Sequence, residues 1–219
     1  MKLIIFVHTC KLYEESRAKL IESTWGDNAN VVFITDNESS SLKNHVNLGP
    51  YIPGPTYHPV TVYKMFMLFL NKYSDYDWFM IIDDDSYLYI EKLKTYLSFF
   101  NKADCYMIGD YLNWVTYNNS FTYDYNTWIS GGPGIVFSKS CIETLTQLMA
   151  TVNINVTNHD VFLHNLYKQS GKKIKRVDCP GFHQYGSNEL IKSHPTSSNQ
   201  LISVHLERNM ELLQKFHNL

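Results

Sequence analysis

The chain has 219 residues, enough for a single domain with a substantial core, and 44% hydrophobic with 18% charged content excludes a disordered polymer. A net charge of -2 and a pI near 6.5 leave no basic footprint for nucleic acid. No stretch approaches the roughly 18 to 20 apolar residues needed to span a bilayer.

The apolar opening Met1 to Val7 runs directly into His8 and Thr9 with no small-residue cleavage site. It therefore reads as a strand, Lys2 to His8, and not as a leader. Helical spacing of Leu20, Ile21 and Trp25 predicts a helix from about Glu14 to Trp25, stopped by Gly26 and Asp27. Val31 to Thr35 is a second, β-branched strand ending at Asp36. This strand-helix-strand unit opens a nucleotide-binding α/β fold, yet it has no Gly-rich phosphate turn, so phosphates must be held otherwise. Asp36 is either a ribose or base contact or a plain turn residue.

Residues 37 to 59 are polar, then rich in Pro and Gly, and form a surface connection. Val60 to Tyr73 follows as a strongly apolar helix. Lys64 within it either snorkels to solvent or reaches toward an acid or a phosphate.

The stretch Asp77 to Tyr87 organises the chain. Trp78 to Ile82 lacks polar alternation, which suits a strand buried on both faces of a parallel sheet. It ends in Asp83, Asp84 and Asp85, and the carboxyl edge of such a sheet is where ligands bind. Alternation puts Asp83 and Asp85 on one face, about 6 to 7 Å apart, with Asp84 on the other. Two such carboxylates repel unless a cation or a proton intervenes, and an oxygen site of this kind suits Mg²⁺ or Mn²⁺.

A helix near Tyr89 to Phe100 and a strand around Cys105 to Asp110 come next. The aromatic tract Tyr111 to Trp128 reads either as a hairpin with a wet aromatic face, a surface for an acceptor, or as ordinary edge strands. Ser130 to Gly134 holds three glycines and a proline, so backbone there comes close to something. Helices are predicted at Lys139 to Val152 and Val161 to Ser170, the second preceded by His159 and Asp160, with Gly171 as its stop. Ile174 to Val177 and Leu201 to His205 read as strands, and Glu207 to His217 as a closing helix. His183, His194 and His205 are candidate nitrogen ligands. Lys172, Lys173, Lys175 and Arg176 read as a solvated helix end. Cys10, Cys105, Cys141 and Cys179 form no C-x-x-C pair, and sequence leaves open two disulfides or none. Sequons at Asn37, Asn118 and Asn155 do not establish secretion.

Taken in order, these segments resemble the Fringe-like β-1,3-glycosyltransferases. Val7 to Lys11 through Arg17 to Trp25, then Val32 to Asp36, is similar to the family's donor-binding start. Asp77 to Asp85 resembles its acidic metal motif, Ser130 to Gly134 its glycine loop, His159-Asp160-Val161 its acidic pair before a helix, and Ile202 to His205 its late Ser-x-His. Pro133 and His159 depart from that pattern, as does the lack of an evident anchor and stem.

The resemblance implies an α/β fold of GT-A type, one glycosyltransferase domain over 1–219 with a nucleotide-sugar half (1–88) and an acceptor half (89–219). It implies a UDP-sugar donor, a glycan or glycoprotein acceptor, and Mn²⁺ or Mg²⁺ held by Asp85 and His205 with Asp83 beside them. Asp83 and Asp84 would face the ribose or metal waters. Thr9, Arg17, Asp36, Lys64, Gly131 and Gly132 would contribute to the donor site, and Asp160 would be the base of an inverting transfer. A Golgi lumen follows if an anchor precedes this segment, the cytoplasm otherwise. A metal-dependent nucleotidyl- or phosphoryltransferase and an inactive carbohydrate-binding module are alternative uses of the same residues.

Overall fold

The computed structural model describes residues 1–27, 29–49, 57–112, 128–151, 158–179, 181–184, 186 and 201–218. The strands among them are β1 (Leu3–His8), β2 (Val31–Thr35), β3 (His45–Asn47), β4 (Trp78–Asp83), β5 (Ser86–Leu88), β6 (Tyr106–Gly109), β7 (Tyr111–Leu112), β8 (Trp128–Ile129), β9 (Ile135–Ser138), β10 (Lys175–Asp178), β11 (Phe182–His183) and β12 (Ser203–His205). Seven of them form one sheet in the order β10-β6-β9-β4-β1-β2-β3. β9 runs antiparallel to both its neighbours, and the other pairings are parallel.

The continuous apolar runs of β1 and β4 are explained by where their two faces go. Leu3, Ile5 and Val7, with Trp78, Met80 and Ile82, pack into one core layer, while Ile4, Phe6, Phe79 and Ile81 pack into the other. Successive side chains point to opposite faces, so a central strand covered on both sides has no polar position to spare. The second layer is roofed by α2 (Tyr57–Lys72), α4 (Lys139–Met149) and α5 (His159–Gln169), through Phe66, Ile142 and Phe162 among others. The first is roofed by α1 (Lys19–Glu22), α3 (Ile90–Leu97) and the terminal helix Met210–His217, through Ile21, Leu93 and Phe216.

The helix predicted over Glu14 to Trp25 is replaced by a π-helical turn, Glu14–Ala18, that leads into the short α1. Ala18 N reaches Tyr13 O at 3.3 Å, the wider loop that defines such a turn. Two charged side chains of this turn point inward: Glu14 is 3% and Arg17 9% exposed. Glu14 accepts from Thr35 Oγ1 at 2.6 Å and Asn37 Nδ2 at 2.7 Å, and Arg17 goes to the acids at the tip of β4.

A second, three-stranded sheet, β11-β12-β5, sits where the large sheet ends. β12 pairs antiparallel with β5, and His205 lies opposite Ser86. β7 and β8 pair antiparallel at the two ends of the aromatic tract. Residues 113–127 of that tract lie outside the described residues, as do Asn118, Asn155, His194 and most of the Pro/Gly-rich connection. The four cysteines are free thiols. No described helix is long and apolar enough to cross a membrane.

Phe79 is fully buried, with its ring 4.7 Å from that of Phe6 and 5.1 Å from that of Phe69. Phe79→Ala should cost about 3 to 5 kcal/mol of stability, read as a lower denaturant midpoint at unchanged slope. A loss under about 1 kcal/mol would show that the layer collapses around the deletion.

Candidate active site

The carboxyl end of β4 delivers its three acids to a cleft of about 1410 Å³. His8, Thr9, Asp36, Asp83, Asp84 and Asp85 line it from the large sheet and its loops, and His205, Glu207 and Arg208 from the segment at and after β12. Asp83, Asp85 and His205 each offer one ligand atom, and those atoms all lie within 4.8 Å of one another. The β5–β12 register produces this convergence: His205 stands opposite the residue that follows Asp85, and Leu206 N donates to Asp85 O at 2.8 Å.

Asp84 turns the other way. It accepts from Thr9 Oγ1 at 2.7 Å and from Arg17 Nη1 at 3.0 Å. Arg17 also reaches Asp85 Oδ2 at 3.3 Å, and its guanidinium lies 3.7 Å over the Tyr13 ring. Arg17 therefore acts beneath the acids as a buried counter-charge.

The electrostatics follow from burial and these partners. Burial, then the charge of Asp85, pushes the Asp83 carboxyl up to about 7, with Asp160 adding to the effect. Burial pushes Asp84 up to about 6 against the bonds from Thr9 and Arg17. Burial also opposes ionisation of Asp85, but the His205 bond and the charges of His205 and Arg17 outweigh it and hold the carboxyl below its usual range. Burial works against a charged His205; its bond to Asp85 and the charges of Asp85 and Asp83 more than offset that and raise it. His205 Nε2 lies 3.1 Å from Asp85 Oδ1.

Two carboxylates and an imidazole, crowded with too much negative charge for their burial, fit a divalent cation of the Mn²⁺ or Mg²⁺ class. The shell around them fits as well. His205 Nδ1 lies 3.2 Å from Gln184 O and 3.1 Å from Gln184 Nε2. A proton on Nδ1 donated to that carbonyl leaves Nε2 as the ligand atom. Gln184 is in turn fixed by Ser130 Oγ and by its own N–H on Asp110 Oδ2 at 3.0 Å. A Cβ on Gly132 would stand 2.7 Å from His205 Cγ, so the glycine loop makes room for this ring. Ser86 Oγ holds that loop by donating to Gly132 O at 2.7 Å.

Gly131 performs the same service for His159, whose Nε2 a Cβ there would strike. Asp160 sits at the start of α5, with Oδ1 accepting from Val161 N at 2.8 Å, and its charge is felt by both Asp83 and His58. The rings of His8, His58 and His159 form a chain, with centroids 5.9 and 6.1 Å apart. Burial drives the His8 imidazole down to about 3. Asp36 accepts from Lys11 N at 2.7 Å and faces the cleft.

Lys64 stands apart from the rest. It is exposed on α2, donates from Nζ to Leu48 O at 2.6 Å, and does not line the cleft. The sequence reading missed Gln184, Ser86, His58 and the inward turn of Glu14. Gln184 and Ser86 carry no motif of their own, and their importance comes from strand pairing alone.

Asp83 provides a test of this electrostatic picture. Its folded pKa, about 7, lies above the unfolded 3.8, so between those values the folded chain holds a proton that the unfolded chain lacks. Stability from this group therefore falls as pH rises through that window. In EDTA, Asp83→Asn should gain on the wild type in denaturant midpoint as pH rises towards about 7, and the gain should level off above it. A pH-independent difference would contradict it.

A model of the Fringe-like family matches residues 1–217. Human β-1,3-glucosyltransferase is 26% identical over 212 residues, 95% of this chain and 40% of that protein. The mouse β-1,3-glucosyltransferase is 25% identical over 185 residues, 84% of this chain and 36% of that protein. The chain thus spans less than half the length of these relatives. Among solved structures, a glycosyltransferase involved in glycosylation of the major capsid of PBCV-1 superposes with a TM-score of 0.55 at 13% identity, covering 100% of both chains. The galactosyltransferase LgtC, solved with donor and acceptor sugar analogues, gives 0.50 at 11% identity over 92% of this chain and 86% of its own. These two likenesses concern the fold, which is of the GT-A type. With its family match running from the first strand into the terminal helix, the chain belongs to the Fringe-like family.

Proposed function

We propose that the chain is a metal-dependent inverting glycosyltransferase that moves a hexose or N-acetylhexosamine from a UDP-sugar to an acceptor hydroxyl of a glycan or glycoprotein, forming a β-1,3 linkage. The observation that carries this reading is the convergence of Asp83, Asp85 and His205 at the head of a deep cleft. The names of the relatives put UDP-glucose first among the donors to try.

Asp83, Asp85 and His205 would hold the ion, which when bound supplies Lewis-acid neutralisation of the departing diphosphate. Thr9 and Arg17 keep Asp84 in place, and Asp36, on the same cleft, is positioned for the ribose or the base. Gly131 and Gly132 let the backbone approach the sugar while leaving space for His159 and His205. Asp160 takes the proton of the acceptor hydroxyl as that oxygen attacks the anomeric carbon from the face opposite the diphosphate. Attack from that face converts an α-linked donor into a β-linked product.

Incubation with Mn²⁺ and UDP-glucose, UDP-galactose or UDP-N-acetylglucosamine should release UDP in the presence of acceptor. Turnover of none of them, without binding of any, would sink the reading. Asp85→Asn should lose metal-dependent donor binding. Asp160→Asn should bind donor normally and transfer at least about 10²-fold more slowly; weakened donor binding there would remove Asp160 from the role of base.

A further inference from the structure

The turn after β12 presents a cation that the reaction scheme has not used. Glu207 and Arg208 are both left-handed, at φ 48° and 71°, a conformation that L side chains adopt rarely and keep only where neighbouring bonds impose it. Those bonds converge on one residue. Leu206 N donates to Asp85 O at 2.8 Å, and Arg208 N donates to Asp85 Oδ2 at 3.0 Å. The peptide of Arg208 is thus fastened to a carboxylate of the cation-binding set, and its side chain lines the same cleft.

The other cations near the acids are already committed or lie elsewhere. Arg17 is buried, bound to Asp84 and Asp85, and stacked on Tyr13. Lys64 is tied to the Leu48 carbonyl away from the cleft. Arg208, by contrast, is exposed and its guanidinium makes no hydrogen bond or ion pair among the described residues. Among the described residues, the other lysine or arginine lining the cleft is Lys11, whose backbone N–H secures Asp36. A planar guanidinium beside a cation site, left without a carboxylate of its own, suits the paired non-bridging oxygens of a phosphate.

Resting on the donor reading above, we propose that Arg208 binds the diphosphate of the nucleotide-sugar and stabilises it as it leaves. In the transfer the bond from the anomeric carbon to the phosphate oxygen breaks and its electron pair stays on that oxygen. The acceptor oxygen forms the new bond to the anomeric carbon, and its proton passes to Asp160. Negative charge therefore grows on the diphosphate in the transition state, and a cation on the cleft wall stabilises it there. The bond to Asp85 ties the Arg208 backbone to one of the residues that would hold the ion, so the guanidinium and the ion would address one leaving group.

The test is calorimetry on the full chain with saturating Mn²⁺, titrating UDP and, separately, uridine. Arg208→Ala should weaken UDP binding about 10- to 100-fold, leaving uridine affinity and Mn²⁺ affinity, read by electron paramagnetic resonance, unchanged. Arg208→Gly relaxes the left-handed backbone and should lose UDP affinity to the same degree, whereas Arg208→Lys should retain part of it. UDP binding by Arg208→Ala or Arg208→Gly within about twofold of wild type would overturn the assignment. So would equal losses for UDP and uridine, which would mark a collapsed turn, or a loss confined to Lys11→Ala. A wild-type chain that binds Mn²⁺ but neither UDP nor another nucleoside diphosphate would overturn the donor reading itself, and this assignment with it.

Discussion

Three consecutive carboxylates at the end of a buried strand are a concentration of charge that a folded protein cannot leave unanswered. Asp84 and Asp85 are about 5% exposed, and burial of that order penalises each ionised form heavily. Much of the rest of the architecture can be read as the answer. Arg17 is swung inward by a π-turn to neutralise from below, Thr9 supplies a hydroxyl, and His205 arrives from a strand far along the chain. Even so, Asp83 retains a carboxyl whose pKa lies near neutrality. The site is thus folded while still short of positive charge, which is the condition under which a divalent ion binds well.

The same imbalance explains the protein's treatment of its histidines. His8 and His159 are partly buried, and that burial biases them against protonation. His205 goes the opposite way because two carboxylates face it. Identical side chains in and beside one cleft are therefore divided into neutral rings and a charged partner by what each one touches.

The large sheet was legible because β1, β2 and β4 bury both faces and so carry apolar runs without interruption, ended by residues that stand out sharply against them. Asp83 and Asp85 were legible as a converging pair for the same reason: alternation along a strand is a local property. The π-turn at Glu14–Ala18 was not, since Leu20, Ile21 and Trp25 fit ordinary helical spacing, and the inward demand on Arg17 comes from acids almost seventy positions away. Gln184 was invisible because its role depends on β11 and β12 lying side by side. Residue chemistry alone listed His205 with other histidines, and only the family resemblance paired it with Asp85, because their neighbourhood is a matter of register between two strands that share no sequence pattern. Lys64 shows the converse: an unusual lysine in an apolar helix stood out, and the face of α2 it occupies carries it to a backbone carbonyl at the surface.

The pairing of β5 with β12 has a consequence for how such a protein comes into being. The bond from Arg208 to Asp85 closes a loop of 123 positions, so a chain emerging from the ribosome can complete most of its large sheet while the cleft is still missing one wall. Closing so distant a contact is slow relative to local structure. During synthesis the acids at the tip of β4 must wait, partly unshielded, for β12 and the turn after it. A nascent chain halted before β12 would hold its large sheet beside a cleft that still lacks His205.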